Sequence, residues 1–499
     1  MAPRLARMDV GSANPTLNRK HVHPTVPLPS TTSTIRGGTA ANQPDRNPTA
    51  RLAALREGSK AVLDENWLGS STLPSRTLYP HQWSWDSAFI ALGRSWYDQA
   101  RAQQELQTLF RAQWANGKVP HIVLNPSVPD AAYFPGAAFW QSSRRSPDAP
   151  RGIETSGITQ PPIHARVALE MHRHARDRES STAFLAWLYP RLAAQHAYLG
   201  RERDPTRIGL ASIVHPWESG LDNSPVWDRD LAELEVPPGA IPPYQRHDLL
   251  HANPADRPTN ETYDRFVYLA TRYRDSGYDD RLLTDTVPFT VADPLFNAIY
   301  LWSTHALAEL AEIVGADPQP HREAADRIHE ALLRHLWDPL EGRFAAVDVR
   351  TMERGVEDTI VAFAPLLDPE LPAHLRAAIV TTMKSTCFHA AGPGAFVVPS
   401  FDLLSADFDR RRYWRGPIWI NTNWLLWSGL HQHGYDSETD DIVLSSIRLV
   451  EQSGFREYFD PIDGTGHGSD GFGWTAALTL DLIERHRGAS RTRLIERLG

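Results

Sequence analysis

The chain has 499 residues, 41% of them hydrophobic, enough for one large globular domain or two ordinary ones with a substantial core. A formal net charge of -9 and an isoelectric point near 6.2 exclude nucleic acid as the main partner, because phosphate binding needs a basic surface. The single cysteine, Cys387, excludes an intrachain disulfide framework and a zinc–thiolate cluster, and fits a reducing cytoplasm.

Residues 1–47 are rich in Pro, Thr, Ser, Asn and Gly and show no periodicity. Such composition buries too little apolar area to offset its ordering entropy, so a disordered tail is expected, with a targeting segment as the alternative. The start of the chain lacks the apolar core of a signal peptide, and no stretch approaches the roughly 18 apolar residues of a membrane span.

From 48 onward the texture is helical. The first candidate is 48–66. Trp85, Ala88, Phe89 and Leu92 then follow i, i+3, i+4, i+7 spacing, and further candidates are 95–116, 161–176, 180–203 and 258–276. The stretch 295–314 is apolar nearly all round and should be a buried inner helix. Ala324, Ile328, Ala331, Leu332 and Leu336 line one face with His, Arg and Glu opposite, as in a half-solvated outer helix. Another helix is expected at 371–384, then a second all-apolar one at 417–430, then 438–453 and 474–487. No run of alternating strands could form a dominant sheet. Alternating buried and amphipathic helices imply an all-α ring of helical hairpins with its loops, and therefore its chemistry, at one end. Four long Pro-, Gly-, Asn- and Asp-rich segments, 117–160, 204–257, 385–417 and 454–473, exceed what simple connectors need.

Two carboxylates stand in those segments. Asp222 lies in His215-Pro-Trp-Glu-Ser-Gly-Leu-Asp-Asn-Ser-Pro225, and Glu457 in Phe455-Arg-Glu-Tyr-Phe-Asp-Pro461. Around them the chain spends 16 tryptophans, many in short loop motifs. Two acids and aromatic platforms suit cleavage of a glycosidic bond: one acid protonates the leaving oxygen, the other activates water or attacks, and ring faces stack on the sugar. Glu218 lies four residues before Asp222, and an unshielded acid pair would raise one pKa, as a general acid needs. The competing reading of Asp222 is a helix cap, and that of Glu457 a surface ion pair with Arg456. In Tyr79-Pro-His-Gln-Trp-Ser-Trp-Asp86, Trp85 should face the core and Asp86 either a pocket or simply a helix N-terminus. In the run from Arg412 to Asn423, Tyr413, Trp414 and Trp419 offer ring faces, although for Trp419 taken alone core packing is the favoured reading.

The histidines do not organise into a metal site. His172 and His174, like His431 and His433, are two apart and point to different helix faces, and HExxH is absent. Asp460, Asp463, Gly464 and Asp470 fail the EF-hand spacing, and no glycine-rich phosphate loop occurs, so neither metal nor cofactor is expected.

Taken together, these motifs resemble the family 63 glycoside hydrolases and, beyond them, the trehalases. The resemblance covers most of 50–499 and implies an (α/α)6 barrel that inverts the anomeric centre, with insertions near 117–160 and 204–257 capping the site. Trp217-Glu-Ser-Gly-Leu-Asp222 is similar to that family's general-acid motif and Arg456-Glu457-Tyr458 to its general-base motif. Tyr79 to Asp86, Ile158-Thr-Gln-Pro-Pro162, Tyr413 to Pro417 and Gly473 to Ala477 resemble the bacterial subgroup that hydrolyses mannosylglycerate and glucosylglycerate. By this resemblance Tyr79, Trp83, Asp86, Gln160 and Trp217 bind the sugar, while Trp414 and Trp419 build the pocket wall. Arg257 and Tyr263, helped by Tyr413, hold the carboxylate of the aglycone; an arginine fork suits that group. An Ala-, Arg- and Pro-heavy composition has the look of a high-GC bacterium and tilts the choice to glucosylglycerate. The expected partner is thus a small glycoside with a carboxylate aglycone, in the cytoplasm, without nucleic acid or membrane, and an oligomer is possible. Two rivals stand beside this reading. One is a sugar epimerase or isomerase using His81, His121 or His215; the other is a carbohydrate-binding protein without catalysis.

Overall fold

A computed structural model of the chain describes residues 47–250, 253–389, 396–486 and 489–498. The expected tail, 1–47, lies outside the described residues except for Asn47, whose side chain accepts from the Thr49 amide and caps the first helix.

The helices alternate between outer and inner positions. Outer α1 (Pro48–Glu65) leads to inner α2 (Ser84–Ser95), and outer α3 (Gln99–Arg111) to inner α4 (His164–Arg173). Outer α5 (Arg178–Glu202) is followed by α6 (Asn260–Asp275), which lies in the long excursion, and by inner α7 (Pro294–Val314). Outer α8 (Gln319–His335) precedes a 3-10 segment, Ile360–Leu367. Outer α9 (Ala373–Met383), inner α10 (Ile420–Gln432), outer α11 (Asp436–Ser453) and inner α12 (Gly473–Arg485) complete the series. The inner elements pack in a closed cycle: α2 on α4, α4 on α7, α7 on Ile360–Leu367, that segment on α10, α10 on α12, and α12 back on α2. This is the expected (α/α)6 barrel.

Three details differ from the sequence expectation. The candidate 95–116 shrinks to Gln99–Arg111, because α2 runs on to Ser95 and α3 starts only after Asp98, whose side chain accepts from the Arg101 amide. The helix expected at 417–430 begins only at Ile420. The sixth inner element was not foreseen: Ile360–Leu367 is eight residues long, wholly buried, and contains Pro365, so it offers no helical periodicity to read. Burial agrees better. Every residue of α10 through Leu430 is buried, whereas α8 buries only Ala325, Ile328, Ala331 and Leu332; α2, expected only to bury one face, is buried at every residue. Among the described residues, no helix is long and apolar enough to cross a membrane.

The ends of the ring are built differently. Asp98, Asp177 and Thr259 cap α3, α5 and α6 with side-chain hydrogen bonds. Inner α2, α10 and α12 instead start after an aromatic residue, Trp83, Trp419 or Phe472, with no side-chain cap. Their first amides are taken by loops at that end of the barrel instead, Ser84 donating to the His121 carbonyl, Trp85 to the Gln160 side chain and Gly473 to the Pro74 carbonyl, and both highlighted carboxylates lie in loops there. Elsewhere in the ring, buried Asp481 accepts from the indoles of Trp96 and Trp424 at 2.8 Å each and from Arg485 at 2.7 Å. Glu170 gathers Arg166, Arg173 and Arg485.

Candidate active site

The loops at the uncapped ends enclose a cavity of about 190 Å³. Its wall includes Tyr79, Trp83, His121, Tyr133, Trp217, Asp222, Asp248, Arg257, Tyr263 and Tyr413. Segment 117–160 supplies His121 and Tyr133; segment 204–257 supplies Trp217, Asp222, Asp248 and Arg257. A two-residue antiparallel ladder, Gln82–Trp83 against Ile122–Val123, ties the entry to α2 to the first of these segments.

Asp222 follows a single helical turn, Pro216–Ser219, that ends on Gly220 at φ 76°. A side chain at Gly220 would be strained by that φ, and its Cβ would lie 2.4 Å from the Trp85 ring. Glycine therefore lets the acid loop lie directly on the start of α2. Asp222 lines the cavity, and among the described residues the only hydrogen bond its carboxyl accepts is from its own amide. Burial pushes its pKa up to about 7; Arg257 opposes the rise and the charge of Glu457 adds to it.

Glu457 begins a tight hairpin, Tyr458–Phe459 against Gly466–His467, and is 1% exposed. Its carboxylate accepts from the Tyr79 hydroxyl at 2.6 Å and from the Ser469 amide at 2.9 Å, while its own amide donates to the Ser469 carbonyl at 3.0 Å. Gly468, at φ 68°, lets the hairpin close over it, since a Cβ there would meet the carboxylate at 2.4 Å. Burial raises the Glu457 pKa; Arg257, Tyr79, Ser469 and Tyr413 all work against that rise. Asp86, in the first turn of α2, is 3% exposed; burial pushes its carboxyl well up, with the charges of Glu457 and Asp222 adding. The three acids thus share one field.

The expected sugar and aglycone residues divide into two layers. Tyr79, Trp83, Trp217, Arg257, Tyr263 and Tyr413 line the cavity. Asp86 and Gln160 lie beneath the wall, where Gln160 accepts from the Trp85 amide at 3.2 Å. Trp414 and Trp419 are corrected from wall to backing: they stack at 3.8 Å and are essentially inaccessible. The Trp419 indole donates to the carbonyl of Tyr413, a residue held at φ 48°, and the Trp414 amide donates to the side chain of Asn223, next to the acid. These two tryptophans therefore hold a strained tyrosine and the acid loop in place.

Arg257 lies over the Tyr413 ring at 4.3 Å and reaches Asp248 at 3.3 Å. Its buried Nη1 has no hydrogen-bond partner among the described residues. Arg246 also grips Asp248 (2.6 Å) and stacks on Tyr263 at 4.4 Å. Sequence reasoning missed Asp248 and Tyr133; the only signal for either was its place in a long Pro- and Gly-rich segment.

Two other expectations are corrected. Glu218 does not pair with Asp222; it is wholly buried and bridges to Arg203. The histidines of the epimerase reading are neutral. Burial pushes His81 down to about 4 and His121 and His215 to about 3. His215 is further occupied, accepting from the Trp217 amide and donating to the Phe266 carbonyl.

Residues 79–475 match the model of the mannosylglycerate hydrolase MGH1-like glycoside hydrolase domain. A mannosylglycerate hydrolase of Rubrobacter radiotolerans is 44% identical over 429 residues, covering 85% of this chain and 96% of that protein. A glucosylglycerate hydrolase of Mycolicibacterium hassiacum is 36% identical over 458 residues, covering 89% of this chain and 99% of that one. The crystal structure of a family 63 mannosylglycerate hydrolase from Thermus thermophilus, in complex with Tris and D-glycerate, matches with a TM-score of 0.78 at 40% identity, over 85% of this chain and 99% of that one. Fold and relatives together define a glycoside hydrolase of (α/α)6 architecture. The chain belongs to the mannosylglycerate hydrolase MGH1-like group of glycoside hydrolase family 63.

Proposed function

We propose that the chain hydrolyses an α-linked hexosyl glycerate, glucosylglycerate or mannosylglycerate, to hexose and glycerate with inversion at the anomeric carbon. The observation that carries this is the contrast between two carboxyls in one field. Among the described residues Asp222 accepts no hydrogen bond except from its own amide, and it holds its proton to about pH 7, which suits the general acid. Glu457 is held toward the carboxylate by a phenol, an amide and a nearby guanidinium, so it is the general base. Asp222 protonates the glycosidic oxygen as the bond to the anomeric carbon breaks. Glu457 takes a proton from the water that attacks the opposite face.

Tyr79, Trp83, Asp86, Gln160 and Trp217 are assigned to the sugar. The unpartnered Nη1 of Arg257, with Tyr263 and Tyr413 beside it, is assigned to the glycerate carboxylate. Segments 117–160 and 204–257 act as the cap that excludes water. The names of the relatives and the D-glycerate in the Thermus structure support this choice of substrate. A cytoplasmic setting rests on the lone cysteine. The test is a panel of α-glucosyl- and α-mannosyl-glycerate, their lactate and glycolate analogues and trehalose, followed by proton NMR. Early release of the β-hexose from a hexosyl glycerate is expected. Release of the α-anomer would refute inversion, and preference for trehalose would move the chain to a trehalase-like α-glucosidase.

A further inference from the structure

Behind the acid loop lies a buried ion network. Glu218, Arg203, Lys118 and Asp280 have side chains between 0% and 2% exposed, two of each sign. Burial of single charges at such depth is strongly unfavourable, so each must be matched. Glu218 is matched fully. Its Oε1 accepts from Arg203 at 2.6 Å and from the Thr159 amide at 3.0 Å; its Oε2 accepts from Arg203 at 2.8 Å and from the Val214 amide at 2.7 Å. Arg203 also donates to the Ser212 carbonyl at 3.2 Å and the Tyr198 hydroxyl at 2.8 Å, and pairs with Asp280 at 3.0 Å. Asp280 in turn faces Lys118, whose ammonium bonds the Gly157 carbonyl and lies 4.6 Å from the centre of the Trp114 ring.

The partners of Glu218 are chosen by position. Val214 opens the loop that carries Asp222. Thr159 precedes Gln160, which accepts from the Trp85 amide beside Asp86. Gly220, between Glu218 and Asp222, packs on the same Trp85. One carboxylate therefore joins the acid loop, the Gln160 loop and, through Trp85, the start of α2.

We propose that the Glu218–Arg203 pair positions the proton donor. It fixes the Asp222 carboxyl against the glycosidic oxygen without touching substrate. This rests on the reading of Asp222 as general acid, and the test separates the two. Protonation matters for an alkoxide leaving group and little for fluoride, which departs as a weak base. Each variant is therefore assayed on the hexosyl glycerate and on the α-fluoride of the same hexose. In Glu218→Gln, kcat on the hexosyl glycerate should fall about 100-fold, the cost of a misplacement near 1 Å, while the fluoride rate stays within about 3-fold. Arg203→Lys keeps the charge without the fork and should show the same selective loss, but smaller; it also serves if Glu218→Gln fails to fold.

Asp222→Asn is the reference. If it loses both substrates equally, the acid assignment falls. If it shows the selective loss while both Glu218→Gln and Arg203→Lys lose both substrates equally, or neither, positioning falls and the network is only structural.

Discussion

Two loops each bring a carboxyl into one electrostatic field, Asp222 on the cavity wall and Glu457 bonded to the Tyr79 hydroxyl, yet they hold it by opposite means. The Asp222 loop is anchored from behind, through Glu218 and Arg203, and among the described residues its carboxyl receives no hydrogen bond except from its own amide. The Glu457 hairpin is anchored at the carboxylate itself, by Tyr79 and the Ser469 amide. Proximity alone would raise both pKa values, since like charges disfavour a second ionisation. The donors break that symmetry. A site needing one proton and one lone pair obtains both by withholding hydrogen bonds from one acid and giving them to the other.

The largest expected effect follows from removing either partner. Asp222→Asn and Glu457→Gln should each lower kcat on the natural glycoside by about 10³-fold or more, as loss of a positioned acid or base does. Circular dichroism should be unchanged. Near-normal turnover in either variant would remove that residue from its role.

Next comes Arg257. Loss of its fork should raise KM for the hexosyl glycerate by about 10²-fold, the worth of a charge-assisted pair. It also has a pH signature. Arg257 lowers the pKa of Asp222, and the acid role proposed for Asp222 requires its protonated form. Activity should therefore fall as pH rises through about 7 in the parent, and Arg257→Met should move that alkaline limb upward. A downward movement would contradict the placement of the guanidinium.

Tyr79→Phe acts on the other limb. The hydroxyl holds Glu457 toward the carboxylate, so its removal raises that pKa. The acidic limb of kcat/KM should move to higher pH, with kcat reduced about 10-fold for the lost hydrogen bond. A shift of the alkaline limb instead would mean that Tyr79 serves Asp222.

Part of this contrast was legible in the sequence and part was not. Asp222 and Glu457 stood out because glycine and aromatic residues crowd them, and Gly220 and Gly468 prove to be positions where a Cβ would strike Trp85 and Glu457. Two inner helices, α7 and α10, could be read from all-round hydrophobicity; α2, α4 and α12 were legible only as helices, and Ile360–Leu367, too short and broken by Pro365, was not legible at all. Glu218 was misjudged because its partner, Arg203, lies across a loop whose path no periodicity encodes. Trp414 and Trp419 were misplaced because a ring against sugar and a ring against another ring leave the same mark on a sequence.

The smallest effect concerns stability. Asp222 titrates near 4 when unfolded and near 7 when folded, so the folded state prefers the proton. The sign follows: its contribution is fully present below pH 4 and is lost as pH rises through about 7. Asparagine cannot ionise and so avoids that loss. Asp222→Asn should match the parent in Tm near pH 4 and exceed it at pH 8 by about 4 °C, a modest shift because the protein is large. Glu457→Gln gives the complementary case. The amide cannot accept at both oxygens as the carboxylate does from Tyr79 and Ser469, so little or no gain at pH 8 is expected. Equal gains from both substitutions would mean that the two acids are held alike, and the division of labour between the loops would fail.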